Sequence, residues 1–152
     1  MKKFLLISLT VMFAVSCTSG IKTAYKPINE RDVPERYVRD FSRLRPGALQ
    51  PSWMQVDSLT YGVRFVENEN NIEMHFSRTG VETYWQIPLQ YTPDNITKYI
   101  NTEYAGYKLK DLKLSDIRNE KGYRAMIAKK KDIKYLDFDL NGNFNNKVEE
   151  KK

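Results

Sequence analysis

Apolar residues recur at helical spacing twice along this chain, and each time a proline opens the run and a glycine lies near its end. In the first run, Val33, Tyr37, Phe41 and Leu44 fall at steps of four, four and three, which gathers them on one face of a helix. Glu35, Arg36, Arg39, Asp40 and Arg43 take the opposite face. Pro34 suits a first helical turn, Asp32 is placed to cap it, and Gly47 after Pro46 lets the chain turn out of the helix. The second run, Thr92 to Tyr107, repeats the scheme: Thr92 is the expected cap, Pro93 follows, and Gly106 is the exit. Ile96, Tyr99, Ile100 and Tyr104 form its apolar face. Each predicted helix is about a dozen residues, or ~18 Å, and needs a sheet to pack on.

Between and after the helices the period changes from helical to alternating. Trp53 to Leu59 is a first strand-like run; Tyr61, Val63 and Phe65 alternate with Gly62, Arg64 and Val66; Ile72, Met74 and Phe76 alternate with Glu73, His75 and Ser77. Polar turns at Asn68–Asn71 and Arg78–Gly80 separate these runs, Val81 to Ile87 is a further strand, and Pro88 ends it. After the second helix, Tyr107 to Arg118 reads as a strand whose alternation slips between Leu109 and Leu112, which predicts a bulge near Asp111. Tyr123–Lys129 and Ile133–Leu140 follow as strands, and the polar tail from Asn143 is expected to fray. The order helix, then antiparallel strands, occurs twice. The fold class read from it is α+β, two tandem helix-plus-antiparallel-sheet units with the helices packed on one face of the sheet.

The first residues change the picture of where this domain works. Lys2 and Lys3 precede an apolar run, Phe4 to Val15, and a small-residue site, Ala14-Val15-Ser16-Cys17. The run is shorter than the about 20 residues a bilayer span needs, and its pattern is that of an export signal. It resembles a bacterial lipoprotein signal, in which the cysteine becomes the lipidated first residue. Cys17 is the single cysteine of the chain, so an exported domain has no internal disulfide and no thiol nucleophile. Removing residues 1–16 takes away Lys2 and Lys3 and no acid, leaving +4 of the formal +6. With lysines spread along the chain, this is a solvated basic surface rather than a nucleic-acid footprint. The expected organisation is a signal at 1–16, a tether at 17–31, a domain at 32–144 with repeat units of about 32–91 and 92–144, and a flexible tail at 145–152. The tether reaches ~45 Å when extended.

Several residues together carry a family resemblance. They are Val33-Pro34, Tyr37, Phe41, Pro46, Trp53, Tyr61, Phe65, Phe76 and Gly80, then Pro93, Ile96, Ile100, Tyr104 to Lys108, Tyr123 and Phe138 to Gly142. Their order looks like the PepSY-like family of exported bacterial proteins, which is similar to the beta-lactamase inhibitor protein. The resemblance covers nearly all of Val33 to Phe144. It implies helices on one sheet face and a free, aromatic-rich second face used to grip a protein.

The candidate chemistry is sparse. Asp137, Asp139, Asn141 and Gly142 match the first half of a calcium loop, but its twelfth position is Val148 rather than Glu, and Asn-Gly is also a strand-end turn. His75 is the only histidine. Alternation sets it on the face away from Ile72, Met74 and Phe76, with no partner that sequence logic supplies for general-base work or metal binding. Tyr84 and Trp85 are neighbours on a strand, so only one of them points inward. Trp53, just past the first helix, is expected in the core. Lys129-Lys130-Lys131 marks a solvated hairpin tip that could meet anionic lipid.

These observations favour a non-enzymatic, periplasmic, lipid-anchored module, held by Cys17 to the outer membrane and needing no cofactor or metal. Its expected partner is an envelope protein or peptide, with no nucleic acid. The expected contact residues are Arg64, His75 and Tyr84, with Trp85 added because the strand phase can shift by one. The alternative is an envelope lipoprotein that senses a small ligand or ion; a hydrolase has the least support.

Overall fold

The computed structural model describes residues 25–150, with side chains through 145. The expected export signal, Cys17 and the first part of the expected tether lie outside the described residues. The elements run in order as β1 (Lys26–Pro27), a 3₁₀ turn at Glu30–Asp32, α1 (Glu35–Leu44), β2 (Leu49–Gln55), β3 (Tyr61–Glu67), β4 (Asn70–Ser77) and β5 (Gly80–Gln86). A second 3₁₀ turn at Leu89–Tyr91 leads to α2 (Asp94–Glu103), β6 (Lys108–Ile117), β7 (Glu120–Lys129), β8 (Asp132–Asp139) and β9 (Phe144–Glu150). The nine strands form one sheet in sequence order. Every neighbouring pair is antiparallel. α1 is thus followed by four strands and α2 by four more, and β5 pairs directly with β6 across the α2 connection.

Both helices begin immediately after a proline, which itself occupies the N-cap position without a side-chain bond. The expected caps act elsewhere. Asp32 lies in the preceding 3₁₀ turn, and the Thr92 hydroxyl donates to the Leu89 carbonyl at 2.6 Å. First-turn donors are met by the proline carbonyls instead, Tyr37 N–H on Pro34 O at 2.8 Å and Ile96 N–H on Pro93 O at 3.0 Å. At the exits, Gly106 adopts φ +85°, as expected, whereas Gly47 takes no positive φ. The left-handed residue after α1 is Gln50, φ 52°, where the β2–β3 register slips between Leu49 and Ser52. β2 therefore starts four residues before the predicted Trp53. The one predicted slip falls where the alternation placed it, between Leu109 and Asp111 of β6.

Alternation sorts the strand side chains into two sets. One set packs with the helices. Tyr37 and Phe41 of α1 join Trp53, Val63, Phe65, Ile72, Met74 and Phe76, with Trp85 partly buried against them. Ile96 and Ile100 of α2 join Leu112, Ala125, Ile127, Leu136 and Phe138. The first cluster is built on aromatic edges, such as Phe41 against Trp53 and Phe65 at 5.5 and 5.1 Å. The second is mostly aliphatic.

Two segments expected to be loose are part of the sheet. β1 pairs with β2, Lys26 opposite Gln55 and Pro27 opposite Met54, so the tether joins the fold from Tyr25 onward. The tail returns as β9 because Asp139 accepts the N–H groups of Asn141 and Asn143, both at 2.8 Å, and folds the chain back. Phe144 then stacks on Tyr99 at 4.6 Å, which secures a strand otherwise poor in apolar residues.

Candidate functional site

The other set of side chains forms a hollow of about 330 Å³ on the sheet side away from the two clusters. β4 contributes Glu73 and His75, β5 Glu82 and Tyr84, β6 Lys113, β7 Arg124 and β8 Tyr135, while Arg64 of β3 and Asp137 of β8 stand behind the lining, bonded to Glu73 and Arg124. These positions come together because their registers align across the sheet: Arg64 faces Glu73, Glu73 faces Tyr84, Lys113 faces Arg124, and Arg124 faces Asp137.

Glu73 is the hub. It is 5% exposed, and Arg64 Nε and Lys113 Nζ both donate to its Oε2 at 2.9 Å. His75 Nε2 meets the other oxygen at 2.7 Å. Burial pushes this carboxyl up, but the His75 hydrogen bond and the Lys113 charge outweigh it and hold the group well below the usual carboxylate range. Glu73 is therefore an anion sealed under the sheet surface by its own cations.

Tyr84 is the second hub. It is 1% exposed, accepts from Arg124 Nη1 at 2.7 Å and donates to Glu82 Oε2 at 2.7 Å. Burial raises its hydroxyl pKa far above the ordinary tyrosine value, against the opposing pull of Arg124. Arg124 in turn forks onto Asp137 with bonds of 2.7 and 3.0 Å. The His75 and Tyr84 rings lie 5.0 Å apart, which joins the two hubs. Tyr25 covers one end, edge-on to His75 at 6.1 Å and hydrogen-bonded to Tyr135. Burial raises the Tyr25 and Tyr135 hydroxyls as well.

Of the residues predicted from sequence, Arg64, His75 and Tyr84 come together here. Trp85 does not: its pairing with Ile72 and Leu114 turns it to the side of the first cluster, so the shift of phase allowed for this strand does not occur. Trp53 is 3% exposed in that cluster, as expected of a core residue. Asp137 and Asp139, read as half a calcium loop, are engaged separately, one by Arg124 and the other in the β8–β9 turn. Glu73, Lys113 and Arg124 were missed. Each interrupts an apolar strand with a charge, Lys113 between two leucines and Arg124 between Tyr123 and Ala125, and that interruption was the signal available. Tyr25 had none.

Neither a protein-family model nor a curated protein matches this sequence. Solved structures do match. A DUF2874 family protein from Bacteroides uniformis superposes with a TM-score of 0.59 at 13% identity, over 78% of this chain and 89% of that one. A BLIP-like protein from Bacteroides fragilis gives 0.57 at 16% identity, over 79% and 89%. The fold is that of a BLIP-like protein. A DUF2874 family protein from Bacteroides ovatus, at 18% identity and a TM-score of 0.58 over 78% and 89%, has it too. At these identities the likeness concerns the fold, and the hollow is argued from this chain's own residues.

Proposed function

We propose that this chain is an exported, periplasmic binding or inhibitory module that engages a protein or peptide through the sheet side bearing Arg64, His75 and Tyr84, without catalysis. In this reading it is a lipoprotein anchored by Cys17 to the outer membrane. It consists of two tandem helix-plus-sheet units, α1 with β2–β5 and α2 with β6–β9, whose helices cover one face. A structural neighbour from Bacteroides eggerthii described as a candidate periplasmic protein supports the address, as does the signal-like start of the sequence.

The buried charge network carries the binding reading. Taking ions out of water costs several kcal/mol per ion, and apolar residues of similar size would hold the sheet as well. Yet this side keeps Glu73, Lys113, Arg124 and Asp137 nearly buried, with side-chain exposures of 6, 17, 16 and 14%. A rigid, polar hollow walled by tyrosines suits recognition, because its groups are fixed before a partner arrives. Against catalysis stands the Tyr84 hydroxyl, which is made less acidic rather than more.

Crosslinking and affinity capture of the full-length anchored protein in cells tests this reading. An envelope protein captured by wild type, retained by Trp85→Leu and lost on Arg64→Ala with Tyr84→Phe, is the expected result. Capture unaffected by the Arg64 and Tyr84 changes would refute it. The second reading, a small-ligand or ion sensor, draws on the hollow's volume, which lies in the range of small-molecule sites. A rise in melting temperature with calcium or a protein-free envelope extract, and no captured protein, would favour that alternative.

A further inference from the structure

We propose that the hollow receives a cationic group, the ammonium of a primary amine or a guanidinium, held by His75 and Glu82. The proposal rests on the reading of this side as a binding surface and names the chemistry it recognises.

The first argument is a matter of which charges are already engaged. Lys113 and Arg64 converge on Glu73, and Arg124 forks onto Asp137. Among the described residues, no Lys or Arg bonds Glu82 or Asp57, and Asp111 has a cation only at the edge of ion-pair range. Glu82 takes only the Tyr84 hydroxyl at hydrogen-bond distance, and Asp57 is held by the Leu59 N–H and by Thr60. Asp111 takes Gln86, with Lys113 at the 4.0 Å limit. Among the described residues, five carboxylates thus face three fixed cations in and directly behind the hollow, in a chain of formal charge +6. The hollow is acidic although the protein is basic.

The second argument comes from the histidine. Glu73 is held ionised by its surroundings, so His75 Nε2 is the donor of their 2.7 Å bond. In the neutral imidazole Nδ1 is then a lone-pair acceptor. It lies 3.9 Å from Glu82 Oε2, also an acceptor, and the His75 side chain is 8% exposed. With the ring in that form, two acceptors face each other at the hollow, and among the described residues no donor lies between them. An ammonium or guanidinium supplies N–H groups to both and a positive charge to Glu82.

The hollow also has the room. A volume of about 330 Å³ admits one Lys or Arg side chain or a free alkylamine.

The test titrates the purified full-length protein, in detergent with its anchor, with n-butylamine, butylguanidine, n-butanol and butyrate, followed by calorimetry and by NMR of the His75 ring. Saturable binding of the two cations alone, shifting the His75 Nδ1 resonance and weakened about tenfold by Glu82→Gln, is expected. Asp57→Asn is the second variant and should weaken binding to a smaller extent. Equal or better binding of butyrate, or cation binding untouched by both variants, would overturn the proposal. So would an imidazolium at His75 already filling the gap in the unliganded protein at pH 7. Blocked Gly-Lys-Gly and Gly-Arg-Gly peptides binding more tightly than butylamine identify a partner's side chain as the source, and tighter binding of spermidine identifies a free amine. Partner capture that survives Glu82→Gln and is not displaced by amine would sink this proposal while leaving the binding-module reading intact. Amine binding without capture does the reverse.

Discussion

The two sides of this sheet are buried to a similar degree by opposite means. On one side Phe76, Phe138, Leu136 and Val63, at 1% exposure or less, are covered by the other apolar side chains of their clusters. On the other, Tyr84, Glu73 and His75 at 1, 5 and 7% are covered by their own hydrogen-bonded neighbours and by Tyr25. The first arrangement gains from water's exclusion; the second gives up hydration and recovers it only through complete pairing. The comparison teaches that burial in a small sheet protein does not mark the core. What separates the two sides is whether the buried atoms would be as well served by hydrocarbon.

Mutations can break that comparison, beginning with the packed side. Phe76→Ala should lower unfolding free energy by about 3–5 kcal/mol in urea titration, because it empties the centre of the first cluster between Tyr37 and Trp53. Gly122→Ala should cost about 2–3 kcal/mol by the same measurement, since a Cβ there would sit 2.3 Å from the Phe138 carbonyl oxygen and force β7 from β8. On the hollow side, Glu73→Gln should cost about 2 kcal/mol at pH 7, as it leaves Lys113 and Arg64 around a neutral amide. Its pH signature is sharper than its size. Glu73 is lowered from an ordinary 4.5, so the stability it contributes is fully present above that value and is lost as pH falls from about 5 toward the folded value. Denaturation curves at pH 7 and pH 3 should therefore lie closer together for Glu73→Gln than for wild type. Tyr84→Phe, which removes one hydroxyl between Arg124 and Glu82, should cost about 1 kcal/mol.

The packed side was legible in the sequence because each of its signals is local and periodic. Val33, Tyr37 and Phe41 announce a helix by spacing, and Ile72, Met74 and Phe76 a strand by alternation, before any partner is known. The same alternation set Arg64 and His75 on the opposite side, and the neighbour rule left Tyr84 and Trp85 to divide between the sides. The network itself is non-local. Arg124 meets Tyr84 across forty residues, and Lys113 meets Glu73 across forty, through β5–β6 pairing that no hairpin turn announces. β1 and β9 escaped for a different reason: Lys26-Pro27 and the Asn- and Glu-rich tail carry almost no apolar pattern, and their strands are made by edge pairing and by Phe144 on Tyr99.

The proposed binding role of the hollow side is tested against the fold-holding role of the cluster side by comparing in-cell partner capture with unfolding free energy for two sets of variants, Arg64→Ala and Tyr84→Phe on one side, Val81→Ala and Trp85→Leu on the other. The account predicts that capture is lost in the first set while stability stays within about 1 kcal/mol of wild type, and is kept in the second wherever the protein remains folded. Capture that falls in step with stability in both sets alike would contradict it.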